Sequence, residues 1–170
     1  MARHSGLNRP TAQERYPVMI LLLALLIGIV AGLRAMMAPA AVACAARFGG
    51  LALAGTPLAF MGYAWTPWIF GIAALGELVT DMLPSTPSRK IPVQFGTRVV
   101  TGALSGACLG AAHDSLVAGL VAGAIGAVLG TLGGAAARTK MASAFRSDRP
   151  AAIIEDIVAI VLAFAVVSMA

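Results

Sequence analysis

Two carboxylates, Glu77 and Asp81, lie four residues apart in a segment that is otherwise apolar from Trp65 to Leu83. A separation of four residues places both side chains on one face of a helix. Ionisable groups are costly inside a membrane, and they commonly mark a binding site or a polar pathway there. We therefore take this pair as the first part of a candidate site for a proton, a cation or a small polar substrate.

Three further ionisable residues are predicted at the same depth. Arg98 lies about one turn into the third apolar segment, and Glu155 and Asp156 lie in the first turns of the fifth. Four acids against one arginine leave an excess of negative charge that pairing within the cluster does not neutralise. Protonation of the carboxylates, binding of a cation or a contribution from Arg89 would each balance it. In each case the site would respond to protons or cations.

The same residues also have a structural interpretation. Arg98 would pair with Glu77 only to hold two helices together, and the acids that begin the fifth segment would favour the dipole of that helix. Arg34 is predicted in the outer half of the first segment, as an outer gate or a counter-charge. The loop PSTPSRKIP, which contains Arg89, is interpreted as an inner-leaflet anchor or as a cradle for an anionic headgroup.

Composition favours a polytopic membrane protein, since 59% of the 170 residues are hydrophobic and 11% are charged. The sequence predicts an all-α bundle of about five transmembrane helices. A basic cytoplasmic tail, residues 1–16, precedes a transmembrane domain, residues 17–170, with helices at 17–46, 65–83, 94–112, 115–137 and 151–170. The first segment exceeds the roughly 20 residues of a simple span, and its Gly32, Arg34 and Pro39 predict a break or a strong tilt.

The distribution of basic residues predicts the orientation. With the N-terminus in the cytoplasm, nine lysines and arginines fall on the inner side and one, Arg47, falls outside. This pattern predicts a bacterial inner-membrane protein with a cytoplasmic N-terminus and a periplasmic C-terminus. Contact with anionic lipids of the inner leaflet, rather than nucleic acid, then accounts for the net charge of +5.

Glycines spaced by four predict close helix packing, either within one chain or between two. They are Gly102, Gly106 and Gly110 on the third segment and two runs on the fourth, Gly119 and Gly123, then Gly126, Gly130 and Gly134. The small size of the protein favours a homodimer. A likeness between LLIGIVAGLRAMMA and GAIGAVLGTLGGAA, each followed by an acid-bearing helix, predicts an inverted two-helix repeat of the kind found in transporters.

Four sequence blocks resemble, in order, those of a bacterial family of small membrane proteins known only as a domain of unknown function. They are GLRAMMAPA, similar to the family's GLRAF-P signature, then ELVTDMLPSTPSR, TRVVTGALSGA and IIEDIVAI. The resemblance covers about residues 25–165, with Met36 and Met37 where an aromatic and an aliphatic residue are more usual. It implies no activity, but Arg34, Glu77, Asp81, Arg89, Arg98, Glu155 and Asp156 all lie at positions that match its blocks.

Three functions are compatible with these residues. The first is a small transporter or channel in which the carboxylates carry a proton or cation and Arg98 tunes them or contacts an anionic substrate. The second is a structural or lipid-interacting membrane protein. The third is a membrane-embedded enzyme acting on a lipid, for which the sequence contains neither an HExxH motif nor paired histidines. The sequence predicts no cofactor, and it leaves open whether the acids bind a metal ion.

Overall fold

A computed structural model describes residues 12–81 and 92–170, and all regular secondary structure within these ranges is helical. The all-α class is therefore confirmed. The α-helices of the described ranges are α1 (Ala12–Leu33), α2 (Met37–Cys44), α3 (Thr66–Thr80), α4 (Pro92–Ala111), α5 (Leu116–Phe145) and α6 (Asp148–Ser168). A π-helical turn, Ala45–Gly49, extends α2, and a 3-10 turn, Ala59–Gly62, precedes α3.

The first apolar segment forms two helices. The helix α1 ends at Leu33, the chain turns, and α2 begins at Met37, within the stretch where the sequence predicts a break. Pro39 falls in the first turn of α2, where a backbone N–H has no partner within the helix, so its missing donor costs nothing. The buried residues of α2 share one apolar core with Leu109 of α4 and Val166 of α6, near the C-terminal ends of those helices. It follows that α2 leads back from the break instead of prolonging α1.

The helices α1, α4 and α5 meet along a glycine seam, which consists of Gly28, Gly32, Gly102, Gly106, Gly110, Gly119, Gly123, Gly126 and Gly130. Gly123 lies where all three helices approach one another. A Cβ added there would lie 3.0 Å from the Cα of Gly106 and closer still to the carbonyl oxygen of Gly102. A Cβ on Gly28 would lie 2.8 Å from the carbonyl carbon of Gly123. The predicted close packing is thus made within one chain, and the glycine spacing no longer argues for a homodimer.

Helices α1 and α5 run in the same direction. Along α1, Gly28 approaches Gly123, and Gly32 approaches Thr131 further along α5. An inverted repeat requires its corresponding helices to run in opposite directions. The inverted repeat predicted from the two glycine-rich stretches is therefore wrong. Their likeness instead reflects the small residues that two parallel, closely packed helices need.

The bundle has a polar end, where α1 and α3 terminate and α4 and α6 begin, and a far end. At the far end α4 turns into α5, and His113 lies there with its Nε2 3.4 Å from the carbonyl oxygen of Ala170. Because α1 is parallel to α5, α1 also begins at the far end. The start of α1 and the end of α6 therefore lie at the same end of the bundle.

This arrangement corrects the predicted topology, which placed the two chain termini on opposite sides. The prediction counted residues 17–46 as one crossing, whereas α1 runs to the polar end and α2 leads back. The predicted division of nine basic residues inside and one outside required the N-terminal tail and the stretch 138–149 to lie on the same side of the membrane. Because α1 begins at the far end and α5 ends at the polar end, this division no longer holds. Helix α1 also begins within the predicted tail, at Ala12.

Two helical stretches are long and apolar enough to cross a membrane, Leu116–Phe145 and Pro150–Ser168. Shorter apolar stretches cover Pro17–Leu33, Met37–Gly49 and Thr66–Thr80. The helix α5 extends eight residues beyond the predicted boundary at Ala137. That extension matters for the site, because it places a further arginine, Arg138, within α5.

Candidate functional site

The break after α1 exposes backbone groups that side chains from other helices satisfy. Before α2, the N–H groups of Ala35 and Met36 donate to the two carboxylate oxygens of Glu77, each at 2.8 Å. Free N–H groups and the helix dipole make the start of a helix favourable for an anion. Glu77, near the end of α3, thus acts as a two-point cap on the start of α2.

Arg98 satisfies the other side of the break. Its Nη1 donates to the carbonyl oxygens of Gly32, at 2.8 Å, and Leu33, at 2.6 Å, which are among the last carbonyls of α1 and lack partners within it. Its Nη2 lies 3.4 Å from Oε1 of Glu77. The hydroxyl of Thr131 on α5 also donates to Gly32, at 3.3 Å. Arg98 and Glu77 therefore cap the two halves of the broken helix and pair with each other.

Arg34 sits in the turn itself and is 1% exposed. Its Nη1 pairs with Asp81 at the end of α3, and its Nη2 pairs with Asp156 on α6. The predicted separation of Arg34 from the acids, with Arg34 toward the outer half of the membrane, is therefore wrong. The cause is the direction of α1, which rises from the far end and reaches the polar end at Leu33.

A third arginine belongs to the cluster and was missed from the sequence. Nη1 of Arg138 lies 3.7 Å from Oε2 of Glu155, which is buried on α6. The helix predicted at 115–137 ends just before Arg138 and so leaves that residue in a connecting loop. The absence of glycine and proline from residues 135–145 was the signal for a longer helix.

The polar cluster, defined here as Arg34, Glu77, Asp81, Arg98, Arg138, Glu155 and Asp156, brings together six of the seven predicted site residues. The seventh, Arg89, lies outside the described residues. Four carboxylates meet three guanidinium groups, so the count of four acids against one arginine is corrected. The charge excess that argued for a bound cation is correspondingly smaller.

The cluster does not resemble a metal centre. Within residues 12–81 and 92–170, no group of three or more His, Cys, Asp or Glu side chains is arranged to hold a metal ion. Cys44 and Cys108 are both free thiols. What the geometry offers is a set of exchangeable ion pairs between α3, α6 and the break of the first helix.

Comparisons of the chain with family models, with curated proteins and with solved structures give no match. The resemblance to the membrane-protein family of unknown function therefore stays a prediction. The function has to be argued from the polar cluster and from the surface that surrounds it.

Proposed function

We propose that this chain is a multi-pass membrane protein, and that its polar cluster forms part of the pathway of a small transporter or channel for a proton, a cation or a small polar substrate. The observation that carries the proposal is the broken helix, with its two ends capped by charged side chains from two other helices, the buried Arg98 and the partly buried Glu77. Non-helical backbone at membrane depth is tolerated where protein or a water-filled cavity surrounds it. Transporters use such broken helices at their binding sites.

The surface supports the membrane part of the proposal. Large apolar side chains point outward on α3, α5 and α6, among them Ile72, Val117 and Phe164 at 63–71% exposure. The fully buried side chains, in contrast, include Arg34. Soluble proteins rarely combine extensive exposed apolar surface with buried charge. Lipid around an internally paired polar core accounts for both features.

We further propose an orientation with the polar end in the cytoplasm of a bacterial inner membrane. In the described helices, Arg138, Lys140 and Arg146 follow α5 past the level of the break, whereas Arg15 at the start of α1 and Arg47 at the end of α2 lie away from it. Basic residues favour the cytoplasmic side. A reporter fused after Ala170 would then be active only outside the cytoplasm, and cytoplasmic activity would reverse this orientation.

The ion pairs suggest how such a pathway would work. Arg34 contacts carboxylates of two different helices, Asp81 next to α3 and Asp156 on α6. Neutralising either carboxylate, by a proton or by a cation, releases one of these contacts and leaves the other. The position of α3 relative to α6 would thereby depend on the occupancy of the cluster, which is the coupling that a transporter requires.

Liposomes that contain the purified protein and an internal pH-sensitive dye would test the proposal. After a pH step, or after a sodium or potassium gradient, we expect a flux well above that of protein-free liposomes. Asp156→Asn should lower that flux at least ten-fold. Asp114→Asn removes an equal charge from the exposed turn between α4 and α5 and should leave it unchanged. Parent liposomes that pass none of the three ions faster than protein-free ones would argue against conduction of these ions.

A structural role is the second candidate, and one observation favours it. Each carboxylate of the polar cluster has an ion-pair partner within the chain. A cluster of this kind can hold helices together without binding anything. If Asp156→Asn lowered stability while no flux were found for the parent, this second function would be preferred.

A further inference from the structure

Helix α3 is the most weakly embedded of the helices that contribute to the polar cluster. Among its 15 residues only Thr66, Pro67 and Ala74 are buried, and the first two lie at its start. By contrast, ten residues of α4 are buried. At its other end, α3 is attached to the bundle through the carboxylates of Glu77 and Asp81. The polar contacts of these two residues thus largely determine whether this end of α3 stays in place.

The groups that receive these carboxylates belong to the body of the bundle and not to α3. Glu77 occupies the N–H groups of Ala35 and Met36 and lies beside Arg98, while Asp81 pairs with Arg34. The Nε of Arg34 is buried and has no hydrogen-bond partner among the described residues. We call these N–H and guanidinium groups the donor set. It includes a donor, Nε of Arg34, that the two carboxylates of α3 do not use.

We propose that this donor set is the binding site of a small dicarboxylate, and that Glu77 and Asp81 occupy it as a tethered stand-in for that ligand. The inference rests on the proposed function, because the dicarboxylate is the substrate that the protein would move. A free dicarboxylate places one carboxylate on the N–H groups of Ala35 and Met36, beside Arg98, and the other on Arg34. Helix α3 then loses these polar contacts, and this end of the helix moves away from the break.

Charge explains why the exchange requires a ligand of this class. Withdrawing a carboxylate from a buried guanidinium is costly, and Arg34 would lose one of its two carboxylates, Asp81, while keeping Asp156, so α3 stays in place when the site has no other anion. A dicarboxylate replaces both α3 carboxylates one for one and leaves Arg34 and Arg98 paired. A neutral or cationic solute cannot do so.

The geometry of the site favours a dicarboxylate over a single compact anion. Residues four apart on a helix have Cβ atoms about 5–6 Å apart, so the two α3 carboxylates enter the site at two separate positions. A phosphate has its oxygens around one atom, so it would fill one of the two positions and leave the other without a carboxylate. A short aliphatic dicarboxylate has two planar groups on a flexible spacer, which matches both positions.

Thermal unfolding of the detergent-purified protein with succinate, acetate and inorganic phosphate, at constant ionic strength, tests the inference. Binding to the folded state raises the unfolding temperature by mass action. The double variant Glu77→Gln/Asp81→Asn removes the tethered charges and keeps the side-chain shapes. We expect succinate to stabilise it at concentrations at least ten-fold lower than for the parent, with little response to acetate. The matched control Asp114→Asn should respond like the parent.

A second variant keeps the test decisive if the double variant does not fold. Glu77→Asp retains the charge but shortens the side chain by one methylene, so it loosens the tether while keeping a carboxylate near Arg98. It too should bind succinate more tightly than the parent. If neither variant gains affinity for succinate, or if acetate or phosphate stabilises the folded variants equally well, the inference is overturned.

The outcome is independent of the flux assay. Succinate binding without any flux would remove the transport function and keep the site. Ion flux without succinate binding would keep the transport function and remove the dicarboxylate site. Removing Arg34 as well, in a folded Glu77→Gln/Asp81→Asn/Arg34→Gln protein, should abolish the gain in succinate affinity, and its persistence would also overturn the inference.

Discussion

The glycine seam and the polar cluster both hold the helices of this bundle together, but they do so by different physical means. Along the seam, α1, α4 and α5 touch backbone to backbone, as at Gly123, where a single added Cβ has no space. In the cluster, long side chains span the gaps, and Arg98, for example, connects the end of α1 to α3. The seam depends on shape and the cluster depends on charge.

This difference assigns rigidity and movement to different parts of the molecule. Backbone contacts have no alternative partners, so α1, α4 and α5 are expected to move as one body. Ion pairs can exchange their partners for other ions of the same sign, and α3 and α6 are joined to the break through such pairs. The two regions should therefore respond differently to substitution, to anions and to salt.

The largest effect is expected at Arg98, which joins the two regions. Arg98→Leu leaves Glu77 and the carbonyl groups of Gly32 and Leu33 without this buried donor. Loss of one partner from a buried charged network costs about 3–5 kcal/mol of unfolding free energy. Denaturant unfolding in detergent would measure the loss.

The matched control is Arg47→Leu, since Arg47 is an exposed arginine at the end of α2 that points away from the cluster. A surface substitution of this kind changes the unfolding free energy by about 0.5 kcal/mol or less. Arg98→Lys keeps the charge but not the planar fork that reaches two carbonyls, and it should fall between the two. Equal stability of Arg98→Leu and Arg47→Leu would show that the break does not depend on this guanidinium.

A substitution in the glycine seam should lower the stability of the protein only through the volume that it adds. Gly123→Ala places a methyl group against the carbonyl oxygen of Gly102 and 3.0 Å from the Cα of Gly106. Backbone must shift to make room, and overpacking of this kind costs about 1–3 kcal/mol. The loss should be the same at low and high salt, unlike that of cluster variants.

Gly133 on the same helix offers the control. A Cβ there would have no heavy atom within 4 Å, and alanine is the better helix former. Gly133→Ala should therefore leave stability unchanged or raise it by up to about 1 kcal/mol. If Gly123→Ala were as stable as Gly133→Ala, the close contact of α1, α4 and α5 would be wrong.

The two regions also differ in how much of them the sequence predicts. Glycine spacing is local and repeats along one helix, so the seam on α4 and α5 could be predicted from the letters. The acids and Arg98 could likewise be recognised as ionisable residues within apolar segments. The partner of each charge depends on helix direction, and counting residues 17–46 as one crossing reversed the direction of α1 relative to the acids, so Arg34 was assigned to the wrong level. The predicted break implied free backbone N–H groups near Pro39, but it gave no indication that those of Ala35 and Met36 would meet Glu77.

The smallest effect is expected at the edge of the polar cluster, in the pair Arg138 and Glu155. Their nearest charged atoms are 3.7 Å apart, and the Arg138 side chain is 18% exposed, so solvent or lipid headgroups screen the attraction. Partly exposed pairs contribute about 0.2–1 kcal/mol. A double-mutant cycle with Arg138→Gln and Glu155→Gln should give a coupling energy in this range, and high salt should lower it further.

A coupling energy above about 2 kcal/mol that is insensitive to salt would place this pair with Arg34 and Arg98 in the desolvated part of the cluster. The extension of α5 beyond Ala137 would then contribute to the site itself rather than to its edge.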